Sequence, residues 1–226
     1  MTALAFESRR LGWPALVAPL FAVLALCFFG LLSQVIGAPA QTDRVLSAIV
    51  QVGSMVGGIA AVSAVASDPA IELRLSLPRS VRRSVLLRLL LALLWSSAVI
   101  GFATELLHEL GRLTSEIPDA PLADQLEWLP PLLLLAGVGA LTAVATRAAT
   151  AGAGVVAAAW VLSNLLSQLW SSVTWLTPLW IALPFDPADP ARWYWNRITV
   201  ALVGMACLAI TAVLLGRPEH LLAAER

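Results

Sequence analysis

Apolar blocks of about twenty residues, with few or no charges inside them, recur along the chain between shorter polar stretches. A helix of that length crosses a hydrocarbon core of about 30 Å, because each residue adds about 1.5 Å. A soluble domain of this size could not bury so many such blocks. The pattern predicts an all-α, polytopic membrane protein in which residues 1–226 form a single transmembrane domain. The six predicted transmembrane helices cover residues 13–36, 45–66, 85–106, 130–146, 155–173 and 198–215.

One further apolar stretch, residues 176–185, is too short to cross a membrane and is interrupted by Pro178 and Pro184. Stretches of this length are typical of re-entrant or interfacial segments, because irregular backbone at membrane depth must be covered by protein. We therefore expect a re-entrant external segment just before the last span.

Composition narrows the functions that the chain can have. Apolar residues make up 59% of the 226 residues and charged residues only 12%. The net charge is zero, so a nucleic-acid partner has no electrostatic support. All fourteen basic residues are arginines, and without lysine the chain has no P-loop lysine, Schiff base or Ser–Lys dyad. Cys27 and Cys207 lie inside apolar blocks, where they are expected to be small buried side chains rather than a disulfide.

The arginines predict the orientation, because cytoplasmic loops carry an excess of basic residues. With both termini cytoplasmic, ten of the fourteen lie inside, and those outside are Arg44, Arg112, Arg192 and Arg197. An aromatic belt is expected at the outer interface, formed by Trp128, Trp170, Trp175, Trp180, Trp193 and Trp195. Ser8-Arg9-Arg10 could instead begin a cleaved signal peptide, but the apolar block is about twice the length of a signal core.

The cytoplasmic connection between the second and third spans, residues 67–83, is the most informative polar stretch. Asp68 can cap a helix with Pro69 at its first position, Glu72 suits the helix dipole, and Pro78 ends the helix. Apolar residues alternate with polar ones from residue 71 to 77, which alone would indicate a strand. A lone strand has no pairing partner, so a short helix along the inner membrane face is favoured. It either docks a cytoplasmic partner or only sets the topology.

These residues resemble a known family. The run Asp68-Pro69-Ala70-x-Glu72-Leu73-x-Leu75, then Ser76-Leu77-Pro78, then Arg88-Leu89-Leu90 opening the next span, is similar to bacterial ABC-2-type transporter permease subunits. Trp193-Tyr194-Trp195-x-Arg197 before the last span and Arg217-Pro218-Glu219 after it also look like this group. The resemblance extends to the length, the six spans and the external segment.

The resemblance implies a function and partners. The chain would be the permease subunit of an ABC transporter in the bacterial inner membrane. Because members of this family mostly export, efflux is the expected direction. The loop would hold a coupling helix, in which Asp68, Glu72 and Arg74 contact a cytoplasmic P-loop ATPase subunit. A second permease subunit, identical or different, would complete the transport pathway. No cofactor is expected in this chain, since ATP and Mg²⁺ would bind the ATPase subunit, and the chain itself would not be an enzyme.

A polar stripe follows one side of the fifth predicted span. Its members recur at helical spacing, with Ser163 and Ser167 beside them, and are Trp160, Asn164, Gln168 and Ser171. The stripe forms either a contact between helices or the lining of a substrate path. Gly53-x-x-x-Gly57 in the second span predicts a second packing face.

A metal site is not expected. Glu105, His108, Glu109 and Arg112 end the third span at i, i+3, i+4 and i+7, and one Glu-x-x-His could supply ligands. Di-metal sites in helix bundles need two such motifs, so a solvated helix end is the better interpretation.

Two other functions remain as alternatives to the permease. An ion-coupled secondary transporter commonly carries acidic or basic residues deep in its spans, and no ionisable residue lies near the centre of a predicted span. A non-transporting scaffold or immunity protein needs no ionisable residue inside its spans. The composition offers no arrangement of nucleophile and base that would make the chain a membrane enzyme.

Overall fold

The computed structural model describes residues 13–35, 42–66, 81–112, 121–173, 177–183 and 189–216, and these residues form helices and turns without a strand. The helices are α1 (Trp13–Val35), α2 (Thr42–Ala66), α3 (Val81–Arg112), α4 (Pro121–Thr146), α5 (Ala149–Leu165), α6 (Ser167–Ser172) and α7 (Pro190–Leu214). A short 3-10 turn, Thr177–Leu179, lies between α6 and α7. The prediction of an all-α fold is confirmed for this part of the chain.

Three helical ranges are long and apolar enough to cross a membrane, namely Arg82–Leu106, Glu127–Thr146 and Pro190–Leu214. Shorter apolar helical stretches cover Ala15–Phe28, Gln51–Ala66 and Ala149–Leu165. Large apolar side chains also face outward, among them Phe102 at 71% and Trp195 at 69% exposure. Lipid tails cover such surfaces and water does not. The chain is therefore a helical protein of the membrane.

The helices differ from the predicted spans mainly at their ends. α3 and α4 extend beyond the apolar blocks, and α4 continues through Pro130 and Pro131. The fifth span is interrupted at Leu166, where the backbone turns (φ −95°, ψ 27°) and α6 begins. α7 begins eight residues before residue 198, the predicted start of the last span. Apolar content locates the lipid-facing core of a helix but not its polar first or last turns.

Successive long helices alternate in direction. α2 and α4 run parallel, because Ser54 contacts Trp128 and, further along both helices, Val62 contacts Gly139. α7 runs in the same direction, whereas α1, α3 and α5 run opposite to it. For α1, Val23 shares a core cluster with Ile49, and Ala15 shares one with Ala60 and Ala64. For the other helices the contacts that show this are Gly53 with Ile100, Gly57 with Ser96, Gly139 with Val156, Ala143 with Gly152, Leu133 with Gly204 and Gly137 with Cys207. Thus α1, α3 and α5 begin where α2, α4 and α7 end.

The two ends of the bundle differ in character. The end where α4 and α7 begin is called the Trp end, because it carries Trp128, Trp170, Trp180, Trp193 and Trp195. The other is called the Arg147 end, after the turn between α4 and α5 in which Arg147 adopts a positive φ of 57°. The predicted clustering of tryptophans at one end is confirmed for these five, and Trp175 lies outside the described residues.

Small residues set the distances between helices. Gly57 packs against Leu132 and Ser96, and Gly53 packs against Ile100. The predicted packing face on α2 is thereby confirmed, and it lets α2 lie closely between α3 and α4. The most extensive helix contacts are those of α4 with α7 and with α2, so α4 is central to the bundle.

Two arginines are buried within the apolar helices. Arg88 of α3 is 1% exposed and Arg197 of α7 is 3% exposed. Each lies seven residues from the start of its helix, which is about 10 Å along the axis. Arg88 is near the Arg147 end and Arg197 near the Trp end. Basic side chains therefore reach inside the bundle, although neither lies at its centre.

Candidate functional site at the Trp end

The start of α7 brings three polar or aromatic side chains onto one helix face. Asp189 caps the helix by accepting a hydrogen bond from the amide three residues on, at 3.2 Å, and Pro190 occupies a first-turn position where no N–H is needed. Trp193, Asn196 and Arg197 then follow at i, i+3 and i+4, which places them together. All three are buried, with exposures of 2%, 1% and 3%.

Asn196 holds the segment of residues 177–183, which contains the 3-10 turn, against α7. Its Nδ2 donates to the carbonyl oxygens of Thr177, at 2.8 Å, and Trp180, at 3.1 Å. Both carbonyls also accept backbone amides within the segment, from Trp180 and Leu183. A carbonyl oxygen has two lone pairs, so the amide of Asn196 adds a second hydrogen bond to each and fastens the turn to α7.

Arg197 supplies two more donors to the same segment. Its Nη1 donates to the Ile181 carbonyl and its Nη2 to the Leu183 carbonyl, each at 2.9 Å. The guanidinium also lies over the ring of Trp193, 5.1 Å from the ring centroid, as in a cation–π contact. Because the charge is buried, these carbonyl dipoles and the aromatic face take the place of water.

α5 holds the segment from its other side. The indole Nε1 of Trp180 donates to the Ser163 carbonyl at 3.1 Å, and the Ala182 amide donates to Ser163 Oγ at 3.2 Å. Ser163 is itself 1% exposed. The segment of residues 177–183 is therefore bound on both sides by side-chain hydrogen bonds and joins α5 to α7.

A cleft of about 310 Å³, with both polar and apolar lining residues, opens beside this segment. Its lining residues are Gln51, Glu127, Pro131, Ser163, Asn164, Ser167, Trp180, Ile181, Ala182, Leu183 and Arg197. Glu127 of α4 and Arg197 of α7 both line this cleft. The cleft thus combines two opposite charges, hydroxyl and amide groups, and an apolar wall.

The predicted polar stripe is only partly brought to this cleft. Asn164 lines it, and its Nδ2 donates to the Trp160 carbonyl one turn earlier, at 2.9 Å. The indole Nε1 of Trp160 is buried and has no hydrogen-bond partner among the described residues. Gln168 and Ser171 belong to α6, beyond the break at Leu166, and their side chains lie outside the described residues. Whether the stripe lines a path or a helix contact stays a prediction.

The other predicted site residues, Asp68, Glu72 and Arg74, lie outside the described residues. The two helix ends that flank them are described: α2 ends at Ala66 and α3 begins at Val81, both at the Arg147 end. The assignment of these residues to a coupling region therefore stays a prediction.

Several cleft residues were not singled out by the sequence as site residues. The sequence pattern predicts Arg197 and Glu127 in external loops and Ser163 only beside the polar stripe. One signal was available, because Asp189-Pro190 is a helix start that puts Trp193, Asn196 and Arg197 on one face. Nothing in the local sequence indicates that backbone carbonyls from another segment would accept hydrogen bonds from that face.

Comparisons with protein-family models, with curated proteins and with solved structures found no match to this chain. The resemblance to ABC-2-type permeases therefore rests on residues 68–78, 88–90, 193–197 and 217–219 and on the pattern of predicted spans.

Proposed function

We propose that the chain is the membrane-spanning permease subunit of an ABC-2-type transporter, an exporter driven by ATP that a separate subunit hydrolyses. The observation that carries the proposal is the pattern of Asp68, Glu72 and Pro78 between two apolar helices, in a chain that has no lysine. Without a P-loop lysine, the chain cannot itself hold the phosphates of ATP in the usual way. Energy must then enter from a partner.

The bundle geometry is compatible with energy entering at the Arg147 end. α2 and α3 run in opposite directions and pack together, so movement of the connection between them would move both helices. α2 in turn packs closely on α4 through Gly57 and Gly58, with Leu132 and Leu135 on the other side. A push on residues 67–80 by an ATPase subunit would thereby reach the middle of the bundle.

The proposal includes six spans with both termini in the cytoplasm. Support comes from the alternating directions of α1, α2, α3, α4, α5 and α7, and from the start of α1 and the end of α7 at the same end. The Arg147 end would face the cytoplasm and the Trp end the outside. A second permease subunit would pack beside this one, and the substrate would pass between or through the two bundles.

Topology can be measured by labelling single cysteines with a membrane-impermeant maleimide in intact cells. In a background in which Cys27 and Cys207 are replaced by alanine, a cysteine at Asp189 is expected to react, because position 189 lies at the Trp end. A cysteine at Gly216, at the other end, is expected to react only after the cells are opened. Equal labelling of both positions in intact cells would mean that both lie on the outer side of the membrane. That result would contradict a single crossing by α7.

Coupling can be tested by purifying the complex from the native membrane. A P-loop ATPase is expected to copurify with the chain and to be lost in Asp68→Arg or Glu72→Arg, because charge reversal replaces attraction with repulsion at the contact. Glu105→Arg is the matched control, since Glu105 lies on α3 towards the Trp end. A stable complex that contains no nucleotide-binding subunit would contradict the proposal.

The ion-coupled secondary transporter is the second candidate, and the cleft at the Trp end favours it. Ionisable residues inside a membrane bundle commonly mark ion or substrate paths, and Glu127 and Arg197 line one cleft. Transport in vesicles separates the candidates: a dependence on ATP supports the permease, whereas a dependence on a proton or sodium gradient without ATP supports the secondary transporter. A scaffold or immunity protein would transport under neither condition.

A further inference from the structure

A shallow groove runs along the start of α3, at the Arg147 end of the bundle. Its volume is about 370 Å³, and its lining residues are Arg82, Arg83, Leu86, Leu87 and Leu90. These residues form two neighbouring rows at i, i+4 spacing, so the arginines lie at one end of the groove and the leucines beyond them. Both arginines are exposed, and Leu90 is 51% exposed. The groove therefore joins a positively charged end to an apolar strip.

The groove begins where α3 would enter the membrane. Arg82 is the first residue of the apolar range that is long enough to cross it, Arg82–Leu106. From Arg82 to Leu90 the helix rises about 12 Å, which is less than half of a hydrocarbon core of about 30 Å. Leu94, which is 58% exposed, continues the same row one turn deeper. The arginines thus lie at the level of lipid headgroups, and the leucines lie within one leaflet.

The described part of the chain places no acidic side chain near these two arginines. Its acidic residues all lie towards the Trp end, and they are Asp43, Glu105, Glu109, Asp124, Glu127 and Asp189. The first turn of α3 contains no acidic residue either, so the positive end of the helix dipole adds to the charge of the arginines. An anion between the two guanidiniums would relieve the repulsion among these groups.

The two arginines differ in what they contact. The side chain of Arg82 passes over Gly216, just after α7: its Cδ and Nη1 lie 3.4 and 3.2 Å from the position that a Cβ on Gly216 would take. The negative end of the α7 dipole lies there and partly compensates the charge of Arg82. Arg83 makes no hydrogen bond or ion pair with another described residue. Its charge is therefore the more direct one to test.

We propose that this groove binds one anionic phospholipid. The guanidiniums of Arg82 and Arg83 donate to the oxygens of its phosphate, and one acyl chain lies along Leu86, Leu87 and Leu90. A zwitterionic lipid also has a phosphate, but its ammonium group would meet two like charges. The site requires only that the start of α3 lies at a membrane surface, so it does not depend on coupling to an ATPase.

Native mass spectrometry of the full chain in detergent tests the proposal with two lipids that have the same acyl chains. From an equimolar mixture, the first bound lipid is expected to be phosphatidylglycerol about tenfold more often than phosphatidylcholine, because only phosphatidylglycerol has a net negative charge. Glycerol 3-phosphate in large excess should not displace it, since it has no acyl chain for the leucines.

Equal binding of the two lipids would overturn the proposal. That result is also expected if another part of the chain, or a second copy of it, covers the groove. Displacement by glycerol 3-phosphate would overturn it as well, because the site would then hold a phosphate without a lipid.

Arg83→Gln is expected to lower the affinity for phosphatidylglycerol about fivefold and to leave that for phosphatidylcholine unchanged, since one basic side chain beside the anionic headgroup is removed. Arg147→Gln is the matched control, because Arg147 is an exposed arginine at the same end that does not line the groove. If Arg83→Gln does not fold, as judged by circular dichroism, Arg82→Gln is expected to give the same selective loss. Equal losses in the groove variant and in Arg147→Gln would show that the lipid follows the general charge of this end, and would contradict the assignment.

Discussion

Gly204→Ala is expected to force α7 away from α4 and to lower the thermal unfolding temperature of the whole bundle. A Cβ at Gly204 would lie 2.5 Å from the carbonyl carbon of Leu133 and 2.6 Å from both its oxygen and the Leu134 nitrogen. These are backbone atoms in the middle of a helix, so they cannot turn aside as a side chain can. The two helices must separate, and α4–α7 is among the most extensive contacts of the bundle.

The expected cost is about 3 kcal/mol, at the upper part of the range for overpacked cores, because no flexible group can absorb the clash. Gly154→Ala is the matched control, since a Cβ at Gly154 on α5 would meet nothing within 4 Å. That substitution should leave the unfolding temperature unchanged or raise it, because alanine favours a helix by about 1 kcal/mol over glycine. Unfolding in detergent, followed by circular dichroism, measures both. Similar unfolding temperatures for the two variants would contradict the described packing of α4 on α7.

Arg197→Met is expected to release the segment of residues 177–183 from α7. The substitution keeps an apolar stem of similar length but removes both donors to the carbonyls of Ile181 and Leu183. A buried carbonyl without a donor is costly, and two of them together should reduce the free energy of unfolding by about 3 kcal/mol. Hydrogen exchange should rise most at residues 177–183, whose amides would become accessible before those of the long helices.

Arg192→Met is the matched control for this prediction. Arg192 is exposed, and its guanidinium donates to Thr177 Oγ1 at 3.2 Å, at the edge of the same segment. A single hydrogen bond from an exposed side chain contributes about 1 kcal/mol. If Arg192→Met and Arg197→Met raised exchange equally, the buried guanidinium would not be what holds the segment in place.

The helices could be predicted from the sequence because lipid imposes a simple rule. Each apolar block must be helical and about twenty residues long, so the pattern located α1 to α5 and α7, with errors at their ends and at the break at Leu166. The tryptophans at one end followed from the same physics. α3 and α4 were longer than expected, since an amphipathic turn outside the hydrocarbon region carries no apolar signature.

The cleft could not be predicted because its side chains are held by hydrogen bonds to backbone atoms of a distant segment. The sequence shows that Asn196 and Arg197 lie at the start of an apolar helix. It does not show that the carbonyls of residues 177–183 would accept hydrogen bonds from them. Ser163 lies beside the stripe in the sequence, but its hydrogen bonds are to Trp180 and Ala182, which are 17 and 19 residues further along the chain. The break at Leu166 also divides a stripe that appears continuous at a helical spacing.

Energy supply from outside the chain is the central claim, and the predicted contact lies at residues 67–80. The most direct measurement places a photo-crosslinking amino acid at Glu72 and, separately, at Trp195 of the Trp end, and irradiates cells that express the protein. The account predicts that position 72 crosslinks to a P-loop ATPase and that position 195 does not. If purification recovers no nucleotide-binding subunit from position 72, or recovers it equally from both positions, the proposed coupling is contradicted.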